Sequence, residues 1–133
     1  MTILPTSGNI TNNTSTFVLS TPAYPAGIWL FSYQATIYFA TAPTSFTSFT
    51  SYLSGPTGGT LGVITQFAKM TTGTQTLTGS NAVTSLSSSF SVNLTAATSI
   101  SLYLIVNTNA QAQVGGNNTA NVQGTYIAAT RIA

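Results

Sequence analysis

The sequence predicts an all-β chain, an antiparallel β-sandwich that forms a single jelly-roll domain over residues 1–133 with negligible helix. Three observations support this prediction. Serine and threonine make up 42 of the 133 residues, and most threonines lie among aromatic and β-branched residues, where strands favour them. Several segments alternate apolar and polar residues with a period of two. Turn signals recur about every 8 to 14 residues, which is typical of antiparallel sandwiches and barrels.

The clearest predicted strand covers residues 26–40. Its odd positions from Trp29 to Phe39 are all apolar or aromatic, whereas several even positions are polar. One face of this strand should therefore lie in the core. Pro25 and Gly27 mark the turn that precedes it.

Two later segments predict strands in different positions of a sheet. Residues 85–94 place leucine, phenylalanine and valine on one face and serine and asparagine on the other, which indicates an edge strand with one solvent-facing side. Residues 99–106 are apolar on both faces, because Tyr103 and Ile105 alternate with leucine and valine. This pattern favours a central or interface strand.

The remaining segments give weaker predictions. The Gly115–Gly116 turn predicts a hairpin between residues 110–114 and 120–124. A threonine-rich β-solenoid, as in ice-binding proteins, is the alternative fold that residues 71–79 suggest, but the chain has no sustained repeat of fixed period. Further short strands are predicted at 17–19, 45–53, 61–70 and 74–77.

Composition excludes several kinds of chemistry. The sequence has no Asp, Glu, His or Cys, so it lacks the usual groups for acid–base catalysis, thiolate chemistry and metal binding. We therefore expect a non-enzymatic protein without cofactor or metal. One lysine and one arginine form no basic patch for nucleic acid. The sequence also lacks a secretory signal pattern and an apolar run of about 20 residues, which predicts synthesis in the cytoplasm without membrane insertion.

The two cations have different predicted roles. Lys69 is a candidate base beside a serine or threonine hydroxyl, but a solvated lysine at a strand end is the favoured interpretation. Because the sequence has no acidic side chain, the anionic partner predicted for Arg131 is the carboxylate of Ala133, its own or a neighbour's, besides backbone carbonyls. Arg131 is thus expected to be a buried or interfacial anchor.

Aromatic and asparagine residues suggest a carbohydrate site. Exposed tyrosines provide stacking platforms for sugar rings, and Tyr24, Tyr38 and Tyr52 are the candidates, with Tyr103 a further one. The alternative interpretation is that these rings belong to the core or to interfaces. Triplets that match the N-glycosylation pattern are expected by chance in this composition, and they begin at Asn9, Asn12, Asn13, Asn93 and Asn117.

Three stretches together resemble the globular-head superfamily of tumour necrosis factor and complement. They are "YPAGIWLFSYQATI", "SFSVNLTAATSISLYLIV" and "VQGTYIAATRIA". The family has a Pro-x-Gly turn before an aromatic core strand, a Leu-x-x-Gly-Asp turn between two late strands, and a last strand with an aromatic residue after glycine. In the late turn of this sequence, Ala97 and Thr98 replace the glycine and the aspartate.

This resemblance implies a homotrimer in which one sheet of each subunit, containing the C-terminal strand, packs around a threefold axis. The expected interface residues are Tyr103, Ile105, Tyr126, Arg131 and Ile132. The ending "ATRIA" also resembles the C-termini of small jelly-roll proteins of large DNA viruses. The expected function is therefore a virion structural protein at the capsid surface, a minor capsid, spike, fibre or decoration component that contacts other capsid proteins. A carbohydrate-binding head on the same fold is the alternative.

Overall fold

Ten β-strands and no helix form the regular secondary structure of the residues that the structure, a computed structural model, describes: 1–5, 7–55, 66–74, 76–77, 80–116 and 124–133. The strands are β1 (Thr2–Ile3), β2 (Gly8–Asn9), β3 (Thr16–Ser20), β4 (Gly27–Thr41), β5 (Phe46–Ser54), β6 (Gln66–Thr72), β7 (Ser80–Leu94), β8 (Ser101–Thr108), β9 (Gln113–Val114) and β10 (Tyr126–Arg131). They form two antiparallel sheets that pack against each other, which confirms the predicted all-β sandwich.

The first sheet, sheet A, is organised around β4. One edge of this long strand pairs with β7 over nearly its whole length. The other edge pairs first with β10 and then with β9, which in turn pair with β1 and β2. Sheet A is thus four strands wide at Tyr33–Gln34, where β1 adds to β10, and again at Ile37–Tyr38, where β2 adds to β9.

The second sheet, sheet B, has the strand order β3-β8-β5-β6. Strands that follow one another along the chain mostly lie in opposite sheets, since β3, β5 and β8 belong to sheet B and β4, β7 and β9 to sheet A. The consecutive strands β5 and β6 pair with each other within sheet B. This arrangement excludes the solenoid alternative, whose strands stack in sequence.

Apolar side chains from both sheets fill the space between them. The alternating residues of β4 from Phe31 to Phe39 are fully buried, and they face Phe49, Leu53 and the even-numbered residues of β8. Phe39 and Phe46 join the sheets by an edge-to-face contact with ring centroids 5.7 Å apart. The period of two in the sequence therefore marks the core face of each sheet correctly.

One polar contact crosses this core. The Tyr33 hydroxyl on β4 and the Ser51 hydroxyl on β5 lie 2.8 Å apart and share a hydrogen bond. Burial raises the pKa of the Tyr33 hydroxyl above its usual value, and the hydrogen bond to Ser51 opposes that rise. Folding therefore favours the protonated form of Tyr33.

Stability should consequently fall at alkaline pH and stay nearly constant in mild acid. Above about pH 10 the unfolded chain loses the Tyr33 proton before the folded chain does, so the free energy of unfolding should fall by up to about 1.4 kcal/mol per pH unit for this group. No side chain of Asp, Glu or His exists to cause a matching loss in acid. Denaturant unfolding across a pH series tests this, and the Tyr33→Phe/Ser51→Ala double variant should show a smaller alkaline loss. An unchanged alkaline loss in that variant would assign it to other groups.

Several predicted strands match the structure. The strands expected at 26–40 and 99–106 correspond to β4 and β8, and β8 is central in sheet B as expected. The strand expected at 85–94 is the edge strand β7, although β7 begins five residues earlier, at Ser80. The weaker predictions at 17–19 and 45–53 correspond to β3 and β5.

Other strand predictions are wrong or lie outside the described residues. Thr74, Thr76 and Leu77 are not in a strand. The hairpin between 110–114 and 120–124 is wrong at its first strand, because β9 comprises only Gln113 and Val114 and both of its edges are occupied, by β2 and by β4. Residues 120–123, and residues 61–65 of the strand predicted at 61–70, lie outside the described part of the chain, whereas residues 66–70 of that prediction are in β6.

Candidate interaction surfaces

The middle of the outer face of sheet A carries uncharged and mostly small side chains. Cross-strand register places Ala128, Ser32 and Ser89 in one row across β10, β4 and β7, and it places Tyr126 and Gln34 in the next row. Cross-strand partners share a face of the sheet, and the neighbours of these residues along each strand point into the core. The outer face is therefore available for contact with another molecule.

Large apolar side chains are concentrated on this outer face. Seven are exposed among the described residues, and five of them lie here: Ile3, Ile28, Leu30, Val83 and Ile132. Exposed apolar patches on otherwise polar surfaces mark interaction sites.

Three of these side chains lie together where β4 begins. Leu30 is paired with Thr130 on β10, and the Ile132 amide donates a hydrogen bond of 2.7 Å to the Ile28 carbonyl. Their exposed fractions are 41% for Ile28, 43% for Leu30 and 59% for Ile132. We call this group the apolar end of sheet A.

Arg131 lies at the rim of the apolar end and is exposed. Its Nη2 donates to the Ala26 carbonyl at 3.1 Å, and its Nε donates to the Ala133 oxygen at 3.4 Å. The predicted contact with the end of the chain is present, together with a backbone carbonyl. Because Arg131 is exposed in the single chain, its expected burial is absent there and its interfacial role stays a prediction.

Gly27 allows this close approach between the two chain segments. Its φ of +147° is one that other residues rarely adopt, and a Cβ at this position would lie 2.7 Å from the Ala133 oxygen and 2.9 Å from Arg131 Nε. The sequence analysis assigned Gly27 only to a turn. A glycine directly before a long apolar strand is visible in the sequence, but this pattern does not reveal that Gly27 packs against Arg131 and Ala133.

The five residues expected at the oligomer interface do not share one surface. Tyr126 and Ile132 are on the outer face of sheet A, whereas Arg131, at the rim, pairs with Trp29 and so is on the inner-face side of that sheet. Tyr103 and Ile105 are instead half-buried on the outer face of β8 in sheet B. One flat interface therefore does not contain all five residues.

An aromatic row crosses the outer face of sheet B. The rings of Tyr52 and Tyr103 stack with centroids 5.3 Å apart, and Phe17 contacts Tyr103 edge-on at 5.8 Å. The Tyr52 ring is only 7% exposed, and its hydroxyl forms a hydrogen bond of 2.5 Å with Ser15. Phe17, at 55%, is the exposed member of this row.

The three tyrosines predicted for sugar binding do not converge. Tyr24 packs against Trp29 and Phe31 at centroid distances of 4.8 and 5.5 Å. Tyr38 lies half-buried on the outer face of sheet A, whereas Tyr52 lies on the outer face of sheet B. A single site built from all three rings is therefore absent.

The other singled-out residues lie in separate places. Lys69 is in β6, the edge strand of sheet B. Asparagines that begin glycosylation triplets are exposed at Asn9, Asn12, Asn13 and Asn93, and Asn117 lies outside the described residues. Asn93 is the cross-strand partner of Ile28 and therefore lies beside the apolar end.

No protein-family model matches this chain, and no curated protein matches it in sequence. The resemblance to the tumour necrosis factor and complement superfamily thus stays a prediction from short motifs. In the part of the chain that the structure describes, no helix has the length and hydrophobicity needed to cross a membrane.

Proposed function

We propose that this chain is a non-enzymatic structural protein of a virion surface, a minor capsid, spike, fibre or decoration component. Its single jelly-roll domain assembles into a homotrimer through the apolar end of sheet A. The proposal combines the motif resemblance with the position of the exposed apolar side chains.

The strand order supports the jelly-roll interpretation. In a jelly roll, two four-stranded sheets are connected so that the chain passes repeatedly from one sheet to the other. Here β3, β5 and β8 alternate along the chain with strands of sheet A, and β10 lies between β1 and β4. β10 thus belongs to sheet A, and sheet A is therefore the sheet that the resemblance implies would pack around the threefold axis.

The apolar end is the observation that carries the assembly proposal. Ile28, Leu30 and Ile132 are each more than two-fifths exposed and lie side by side on one sheet. Burying such side chains against another copy gains about 25 cal/mol for each Å² of apolar surface. A second copy is the occupant that fits best, because the patch has no charged side chain for a partner of opposite charge to recognise.

The small number of charges predicts how this assembly responds to salt. Arg131 is the charged side chain at this rim, and backbone oxygens of Ala26 and Ala133 already accept hydrogen bonds from its guanidinium. Assembly through apolar and hydrogen-bonding surfaces should depend little on salt, since few charges are available to screen.

The Leu30→Lys variant tests the location of the interface. A lysine at this position puts one charge per subunit into the buried contact, and we expect the trimer, three times the 13.7 kDa of one chain, to dissociate to monomers. Sedimentation at micromolar concentration measures the mass, and circular dichroism checks the fold. Phe17→Lys is the matched control, since Phe17 is also an exposed apolar residue, at 55% against 43% for Leu30, but lies on sheet B. A wild-type monomer, or a trimer lost only with Phe17→Lys, would refute this interface.

The virion role needs a separate experiment. Quantitative mass spectrometry of particles purified from the producing cells should detect this chain at a copy number divisible by three. Absence of the chain from particles, with the trimer intact in solution, would refute the virion role and leave the assembly standing.

A further inference from the structure

Two depressions with polar and apolar lining lie at the end of sheet A opposite to the apolar end. They have volumes of about 380 and 250 Å³ and are adjacent, because Ala110 and Gln111 line both; together we call them the groove. Ala40 and Thr41, where β4 ends, line its second part. Ten residues of extended strand separate Leu30 from Ala40, or about 33 Å, so the groove and the apolar end are distinct.

The groove is lined by carboxamide and hydroxyl side chains together with Ile10, Ala40 and Ala110, and by no charged side chain. Five carboxamides line it: Asn9, Asn12, Asn109, Gln111 and Gln113. The larger depression alone reaches the size range of small-molecule sites, about 300–1,000 Å³. An ionic ligand would find no opposite charge here, whereas a neutral hydrogen-bonding ligand would find many partners.

Three of these carboxamides are held by the backbone, which fixes their orientation; Asn109 Oδ1 accepts from the Thr44 and Ser45 amides at 3.1 and 3.0 Å. Asn12 Oδ1 accepts a hydrogen bond of 2.9 Å from the Thr108 amide, so its Nδ2 must be the end left for a ligand. Gln111 Nε2 donates to the carbonyls of Ile10 and Ala112 at 2.9 and 2.8 Å, which leaves its Oε1. Backbone amides only donate and carbonyls only accept, so none of these side chains can be reversed.

The groove therefore presents a fixed donor and a fixed acceptor. Among the described residues no hydrogen bond engages Asn12 Nδ2 or Gln111 Oε1. The Gln113 side chain also has a fixed partner, because its Nε2 donates a hydrogen bond of 2.8 Å to Asn9 Oδ1. Groups that are oriented before a ligand arrives lose little conformational entropy on binding.

Tyr38 is the aromatic residue paired with a lining residue of the smaller depression, although Tyr38 itself lines neither depression. Tyr38 is the cross-strand partner of Gln113 and shares the outer face of sheet A with it. Tyr38 is half-buried, so part of its ring remains accessible. A tyrosine ring offers an apolar face to the C–H groups of a ligand and a hydroxyl to its polar edge.

We propose that this groove binds a neutral saccharide. Each sugar hydroxyl both donates and accepts hydrogen bonds, which matches the Asn12 donor and the Gln111 acceptor, and the sugar C–H face matches the Tyr38 ring. The proposal goes beyond the structural role above and does not depend on it, because the groove lies within one chain and far from the apolar end.

Binding to a printed array of neutral, sialylated and sulfated glycans, followed by titration of the best neutral glycan, tests the proposal. Asn12→Ala removes the donor, and Ala110→Trp fills the groove without removing any side-chain hydrogen bond. Both variants should weaken binding at least about tenfold, the effect of one lost hydrogen bond or more. Asn93→Ala, an exposed asparagine at the other end of sheet A, is the matched control and should bind like the wild type.

The outcomes separate this proposal from the assembly proposal. Neutral-glycan binding that is lost in both groove variants and kept in the control supports the saccharide site. Binding to no glycan, binding only to sialylated or sulfated glycans, or binding that survives both groove substitutions would overturn it. Thermal unfolding verifies that each variant folds, and sedimentation of the same samples reports the trimer independently.

Discussion

Phe31→Ala is expected to lower the free energy of unfolding by about 3–5 kcal/mol, the range for truncation of a buried phenylalanine. Phe31 is fully buried and lies at the centre of an aromatic cluster. Its ring stacks on Phe90 at 5.7 Å and contacts Tyr24 edge-on at 5.5 Å. Truncation removes these contacts and leaves a cavity between the sheets, and the loss is a large share of the 5–15 kcal/mol that holds a typical domain folded.

Phe17→Ala is the matched control for this prediction. Phe17 is also an aromatic residue in a strand, but it is 55% exposed, so its truncation should cost about 1 kcal/mol or less. Denaturant unfolding at two protein concentrations measures both variants, because association contributes to apparent stability by mass action. Equal losses for the two variants would mean that Phe31 is not part of the main core.

Gly27→Ala should have the second largest effect, a loss of about 2–4 kcal/mol. The φ of +147° costs a residue with a side chain about 1–3 kcal/mol. The new Cβ would also displace the Ala133 oxygen, which accepts a hydrogen bond of 2.8 Å from the Ile28 amide. The Ile132 amide donates to the Ile28 carbonyl in the same pairing of chain segments, and Ile132 belongs to the apolar end. We therefore expect the variant to weaken assembly as well as folding.

Gly8→Ala provides the comparison for Gly27→Ala. A Cβ at Gly8 would meet no atom within 4 Å, so this substitution should be neutral or slightly stabilising. Thermal unfolding and sedimentation of the two variants give both readouts. If Gly27→Ala were as stable as Gly8→Ala, the close packing of the chain end on Gly27 would not exist in solution.

The fold could be predicted where the sequence repeats a local pattern. β4 was predictable because six consecutive odd positions, from Trp29 to Phe39, are apolar or aromatic. The start of β7 was not, because Ala82 and Thr84 are small or polar and owe their strand conformation to the pairing with β4. The same holds for β1 and β2, which are two residues long and depend on β10 and β9.

The interaction surfaces were less predictable than the fold. The resemblance grouped Tyr103 with Tyr126 and Ile132 at one interface, but short motifs could not show that Tyr103 lies on the opposite sheet. The groove proposed to bind a saccharide joins residues about a hundred positions apart, such as Asn12 and Gln111. Long-range contacts bring these segments together, among them the pairing of β2 with β9 and the hydrogen bond from the Ile10 amide to the Ala112 carbonyl, and no local pattern encodes them.

The position of β10 has a consequence for biosynthesis. β1 pairs with β10, and β10 also pairs with one edge of β4. Sheet A therefore cannot be completed until β10 has been synthesised. During translation the partly made chain therefore exposes an apolar strand with an open edge, a state prone to aggregation. Such non-local pairing also makes folding slow, in the range of milliseconds to seconds. Nascent chains of this protein should accordingly depend on ribosome-associated chaperones until residues 126–131 emerge.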